Sequence, residues 1–390
     1  MSAICSCYEC LYYHQLQYYY RLNACHQSGY YGEKTNYSDV NSTHLCYDFR
    51  NGYDPNDFPI IFGDDGMVTQ NKSGLTISST PFTFTISVGN EHPKWLHYYK
   101  NTFNVPCKGE LIYEAKVAVR QDINLDIVPP ILRSRIRNIQ DDIRLCTAGI
   151  NLLDQKTWMV ADFFLSNQSI YAFYERLPFG RAGTPIPSEL SNLYERLPEV
   201  DGHNPPNDYA AFSNAIRVGS RTANPEKDFH KLAIGINRDK DYIKWYIDGK
   251  EVFRVDQIGT RLPDEYRLLE HGGQAQSVAD ELGPINIGFG TFSLLDMALP
   301  YNYSREYVQG DSQAISQLVQ LELDPPLPNY PSGYAELYQG LTGKQRGLID
   351  PSETFAVTLG QFPNDNQEIK LFGQGAVLRL KYIKVYVKDC

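Results

Sequence analysis

Residues Asp228–Asp256, DFHKLAIGINRDKDYIKWYIDGKEVFRVD, decide the fold class. His230, Leu232, Ile234 and Ile236 alternate with Lys231, Ala233, Gly235 and Asn237, which is the two-residue period of a strand. Asn237–Asp241 reads as a polar turn, after which Ile243, Trp245 and Ile247 alternate with Tyr242, Lys244 and Tyr246. Asp248-Gly249 supplies the positive-φ pair of a type I′ hairpin, and Glu251–Asp256 returns as a third strand. This antiparallel meander has one apolar face, so the rest of the chain must supply a second layer to cover it.

The remaining residues carry the same signature. Leu75–Ser78 follows the turn residues Asn71-Lys-Ser-Gly, and Phe82, Phe84, Ile86 and Val88 alternate with polar neighbours. Leu111, Tyr113, Ala115, Val117 and Val119 form one face of a long strand. Asp122–Arg144 is polar and broken by proline, a loop or short helix. Ala148–Leu153, Thr157–Leu165 and Ser169–Arg176 are strands, the last pairing back across Ser166-Asn-Gln. Ala210–Val218 and Ile285–Phe292 continue the pattern, and Thr354–Leu359 and Glu368–Phe372 are short strands. In Ala376–Lys388, Ala376, Leu378 and Leu380 share one parity while Ile383, Val385 and Val387 share the other. That switch predicts a β-bulge near Lys381/Tyr382. About a dozen strands without βα units mean an all-β, two-sheet antiparallel sandwich. A helix is expected only over Gly310–Leu323, where Ile315, Leu318, Val319 and Glu322 fall at helical spacing.

Two domains are expected: a Cys/Tyr-rich N-terminal arm over residues 1–50, and a sandwich over 51–390 with insertions near 183–206 and 300–345. The arm holds five of the eight cysteines. Cys5, Cys7, Cys10 and Cys25, with the C-terminal Cys390, are candidates for intermolecular thiol pairing and would let the arm link a homo-oligomer. Zinc binding by Cys5, Cys7, Cys10, His14, Cys25 and His26 is the alternative, although paired Cys-x-x-Cys spacing is missing. Plain packing is the third reading.

Net charge −10 and a pI near 5.3 argue against a nucleic-acid partner, because phosphate binding needs a cationic surface. No run reaches the roughly 20 apolar residues of a membrane span. The first residues lack the basic start and apolar core of a secretory signal, and the compartment is left open, assembly into a surface or extracellular structure included. No nucleotide-binding glycine loop and no Gly-x-Ser-x-Gly elbow occurs. Asp122, Asp126, Asp141 and Asp142 are oxygen donors of the kind calcium takes, but they lack regular spacing, so no cofactor is expected. His230 shares the apolar parity of its strand and reads as a core histidine.

Three segments resemble laminarinase/lichenase-type glycoside hydrolases: His230–Val255 with its Trp245-Tyr-Ile-Asp-Gly hairpin, the closing Leu380–Tyr386, and the Gly109-Glu-Leu-Ile-Tyr-Glu-Ala-Lys-Val strand. The resemblance implies a concanavalin A-like jelly roll, a fold that also serves lectins and structural proteins. Phe163–Asn167, Tyr171–Gly180 and Phe372–Leu380 look similar to an uncharacterised bacterial family of the same fold, a likeness that implies no activity. The hydrolases carry Glu-x-Asp-x-x-Glu or Glu-x-Asp-x-Glu on one cleft strand, since retaining hydrolysis needs two carboxylates about 5–5.5 Å apart. Neither string occurs here, and the corresponding Trp158–Leu165 offers only Asp162.

A substitute pair follows from hairpin geometry. With Asn167/Gln168 at the turn, Asp162 lies opposite Phe173 and Val160 opposite Glu175. Asp162 and Glu175 then face the same way as diagonal neighbours. Trp158, Tyr171 and Phe173 beside them would make an aromatic, acidic site suited to a polysaccharide or other glycan. The plain alternative is that Asp162 or Glu175 pairs with Arg176, Arg181 or a backbone amide. The leading expectation is a non-catalytic glycan-binding or structural coat subunit. The rival is a glycan-active hydrolase or lyase using Asp162 and Glu175.

Overall fold

Alternation becomes strand along most of its length in the computed structural model, which describes residues 42–62, 66–82, 94–125, 138–143, 145–177, 209–270, 273–293 and 374–389. The strands run β1 (Ser42–Asp48), β2 (Ile60–Phe62), β3 (Met67–Asn71), β4 (Gly74–Ser79), β5 (Lys94–Tyr98), β6 (Phe103–Asn104) and β7 (Glu110–Asp122). They continue with β8 (Thr147–Asp154), β9 (Met159–Leu165), β10 (Ser169–Arg176), β11 (Phe212–Ser220), β12 (His230–Asn237), β13 (Tyr242–Ile247) and β14 (Lys250–Asp256). Last come β15 (Arg267–Glu270), β16 (Pro284–Phe292) and β17 (Gly375–Lys388). Among the described residues there is no α-helix, only short 3-10 turns.

Two antiparallel sheets result. The first has eight strands in the order β14-β13-β12-β7-β17-β4-β3, with β1 also on β17. The second has nine, β15-β11-β10-β9-β8-β16-β5-β2, with β6 also on β16. Sequence-distant strands lie side by side (β7 between β12 and β17, β8 between β9 and β16), which makes this a concanavalin A-like jelly roll.

The meander forms as its residues dictate. Asp248 and Gly249 take φ of 50° and 85°, the left-handed pair that turns β13 into β14. Leu232, Ile234, Ile236, Ile243, Trp245 and Val255 point inward and are buried against the second sheet. Each such apolar side chain contributes about 1.5–3 kcal/mol when taken from water. Polar ties cross the same core. Trp245 Nε1 donates to the Asp162 carbonyl at 2.8 Å, and Tyr113 Oη to the Gly288 carbonyl at 2.9 Å.

The parity switch in β17 marks a change of neighbour. Before it, Ala376–Leu380 pairs with β4; after it, Tyr382–Val387 pairs with β1. Along β7 the register slips between Leu380 and Tyr382, and the Lys381 carbonyl, released from the ladder, accepts from Phe49 N at 2.9 Å. The bulge therefore lets one strand serve two partners while both halves keep their apolar side inward.

The sheet begins earlier than the sequence suggests. Ser42–Asp48, assigned to the arm, is β1, with Leu45 and Tyr47 in the core. Its apolar alternation is only two residues deep and borders Cys- and Tyr-rich sequence, which masked it. Of the described cysteines, Cys146 is a buried free thiol. Cys5, Cys7, Cys10, Cys25 and Cys390 lie outside the described residues, as do both insertions, the 310–323 helix, the two short strands of 354–372 and the continuation of Phe82 into a strand.

A second core lies on the far side of the nine-stranded sheet. Along β9, Met159, Ala161, Phe163 and Leu165 face the first sheet, whereas Val160 and Phe164 face outward. Outward with them lie Leu96, Tyr98, Leu153, Trp158, Phe173, Tyr209, Ala211 and Phe292, all buried.

Candidate functional site

Strand pairing alone places the carboxylates. One row across the outer face of the nine-stranded sheet reads Tyr98, Gly288, Asn151, Asp162, Phe173. The next reads Asn286, Leu153, Val160, Glu175, Ser213. Asp162 opposes Phe173 and Glu175 opposes Val160, the register expected from the Asn167/Gln168 turn. Asp162 and Glu175 are thus diagonal neighbours on one face, about 7–8 Å apart along the strands.

Asp162 is 2 % exposed. Its Oδ1 accepts from Asn151 Nδ2 at 2.8 Å and from Leu152 N at 3.3 Å. Tyr98 Oη donates to Asn151 Oδ1, completing a chain from β5 to β9. Tyr98 crosses a whole strand to do so, and glycine makes that crossing possible. A Cβ on Gly288 would stand 2.8 Å from Tyr98 Cδ1 and 2.6 Å from the His97 carbonyl oxygen. Glu175 is partly exposed as a residue, while its carboxyl is packed round by protein and accepts from Ser213 Oγ.

Burial shifts both acids the same way. Burial pushes Glu175 up to about 7, with the Ser213 hydrogen bond and the Lys94 charge pulling the other way. Burial raises Asp162 well above the carboxylate range, and the Glu175 charge raises it further, against the Leu152 and Asn151 hydrogen bonds. Burial thus favours the neutral form of both acids, and the Glu175 charge adds to that effect at Asp162.

The expected aromatic lining is present but closed. Trp158 and Phe173 are 2 % and 1 % exposed, and Phe173 packs on Phe164, which packs on Phe292, at 5.0 and 4.8 Å between centroids. Tyr171 alone of the three keeps surface. Trp158 sits in the β8–β9 turn with a left-handed φ of 62°, a costly conformation for a bulky residue, fixed by its carbonyl accepting from Leu177 N. Arg176 is paired with neither acid among the described residues: Nε donates to the Thr157 carbonyl at 3.2 Å and the guanidinium lies 4.2 Å from the Tyr209 ring centroid.

Other sequence candidates resolve differently. His230 is not a core histidine. It lies at the open end of β12, with Nδ1 2.9 Å from Asp248 Oδ2 and Nε2 3.2 Å from Asp228 Oδ2. Apolar parity misleads there because two carboxylates, one just before β12 and one in the β13–β14 turn, reach the ring. Asp122 pairs with Arg120, and Asp141 accepts from Ser169 Oγ and Ser166 Oγ and meets Arg217, so these acids are spent on structure. Among the described residues no group of three His, Cys, Asp or Glu is arranged to hold a metal. Asn151 and Ser213, which bond the acids, and Tyr98, which bonds Asn151, were missed in the sequence. Their only signal is polar identity at outward parity in strands whose inward positions are apolar.

Residues 53–389 match the family of unknown function DUF6081. The chain belongs to this family. A relative, "Uncharacterized protein L829" of Acanthamoeba polyphaga mimivirus, is 43% identical over 379 residues, covering 88% of this chain and 86% of the relative. Among solved structures, the chain is similar to the laminarinase catalytic domain of Thermotoga maritima MSB8 (11% identity, TM-score 0.39, covering 90% of this chain and 100% of that one). It is also similar to the Crh5 transglycosylase in complex with NAG (12%, TM-score 0.38, 90% and 86%) and to the Bacillus licheniformis β-glucanase (9%, TM-score 0.35, 89% and 100%). The jelly-roll assignment of this DUF6081 chain rests on its strand order and register. No helix among the described residues is long and apolar enough to cross a membrane.

Proposed function

We propose that this DUF6081 protein is a non-catalytic jelly-roll subunit that binds glycan or serves assembly, and that the face where a hydrolase would keep its cleft has become a second core. The observation that carries this reading is Asp162 at 2 % exposure among buried Trp158, Phe164 and Phe173. A retaining hydrolase needs an ionised nucleophile within reach of the sugar. Burial and the neighbouring Glu175 charge disfavour the ionised form of Asp162, and the residue is covered, which speaks against that role. A sugar stacks on an open ring face, and Trp158 and Phe173 have none to offer. Tyr171, Glu175 and Arg217 keep surface on this side, and a bound glycan would meet them there.

The second reading, a glycan-active enzyme, draws on one feature. Glu175 is partly exposed and titrates near 7, the range in which a general acid works at neutral pH. A glycan array run beside a reducing-sugar release assay separates the two. The expected result is no release, with any binding unchanged in Asp162→Asn. Sugar release abolished by Asp162→Asn would overturn the non-catalytic reading.

A further inference from the structure

Among the described residues β14, β1 and β3 form the edges of the eight-stranded sheet, and they are not guarded alike. An edge exposes unpaired backbone groups, and proteins guard it with charge, proline or brevity. On β14 the guards are Lys250, Glu251, Arg254 and Asp256, and on β1 they include Asp48, held by Arg50. β3, Met67-Val-Thr-Gln-Asn, has no charge and no proline, and four of its five residues are exposed. Met67, at 64% exposure, is the large hydrophobic left in water among the described residues.

Hairpin geometry fixes which backbone groups are on offer. Asn71 pairs with Gly74 across a two-residue turn, so Asn71, Thr69 and Met67 direct their N–H and C=O groups at β4. Val68 and Gln70 direct theirs outward, and neither backbone makes a further bond among the described residues. The Gln70 side chain is tied back to the Phe49 carbonyl at 2.9 Å and leaves the edge clear.

We propose that β3 is a self-association edge, pairing antiparallel with β3 of a second copy of this chain about a two-fold axis at Thr69. In that register Val68 of one protomer and Gln70 of the other exchange both backbone hydrogen bonds, twice over. The two Thr69 residues face each other as a non-hydrogen-bonded pair, the position where side chains come closest. A second copy is favoured over a foreign strand because the strand is self-complementary in this register and carries no charge to repel itself. The contact is small, which makes the dimer reversible. It is independent of the glycan reading, since the edge lies on the other sheet from Asp162.

Sedimentation of the full chain under reducing conditions, from about 1 to about 200 µM, tests this directly. The wild type should pass from monomer to dimer. Thr69→Lys and Thr69→Glu, exposed substitutions that put like charges face to face, should each weaken dimerisation at least about tenfold. An equimolar mixture of the two variants should restore it. A wild type that stays monomeric across the range overturns the proposal, as do single variants that associate like the wild type.

Discussion

Glu175 reports its surroundings through pH. The native state holds its proton up to about 7, above the ordinary 4.5, so it binds more protons than the unfolded chain between those values. Its favourable contribution is complete below about 4.5 and is lost as pH rises through about 7. Glu175→Gln should therefore flatten the stability curve across that window, by about 1–3 kcal/mol in chemical denaturation. Asp162 separates shape from charge. Asp162→Asn keeps an acceptor for Asn151 Nδ2 and Leu152 N, and should leave stability at neutral pH within about 1 kcal/mol of wild type. Asp162→Ala strands both donors and should cost about 2–4 kcal/mol. Gly288→Ala should lift the Tyr98 ring off the sheet and break its bond to Asn151, lowering stability by about 1–3 kcal/mol.

At the scale of elements, strands were readable where one face is apolar and the other polar. β7, β12, β13 and β17 alternate in this way, and the β17 bulge showed itself as a parity switch. The β9–β10 register followed from turn position alone, which is why the diagonal acid pair could be placed without a structure. β8 and β9 are different, buried on both faces throughout, so alternation could not say which side carried which core. β1 escaped because its apolar face is two residues deep. A hydrogen bond from Trp245 Nε1 to the Asp162 carbonyl joins the meander to the acid strand. Trp245→Phe should keep the ring in the core yet leave that carbonyl without its inter-sheet donor. We expect a loss of about 1–3 kcal/mol, read from the denaturation midpoint.

Over the whole molecule, one sheet has buried apolar clusters on both sides, and the proposed non-catalytic reading rests on that arrangement. The sequence places Asp162, Glu175, Trp158, Tyr171 and Phe173 on one face. Openness of that face depends on partners from β5, β8, β11 and β16, which no local pattern connects. Leu96, Ile143, Tyr209 and Phe292 come from four separate stretches of chain and meet only in the folded sheet. The account stands on water being kept from Asp162. A carbon-13 NMR titration of the Asp162 carboxyl tests that most directly. We predict a midpoint raised well above the ordinary carboxylate range; titration near 4, as for a solvated carboxylate, would contradict the filled face and point to an open cleft.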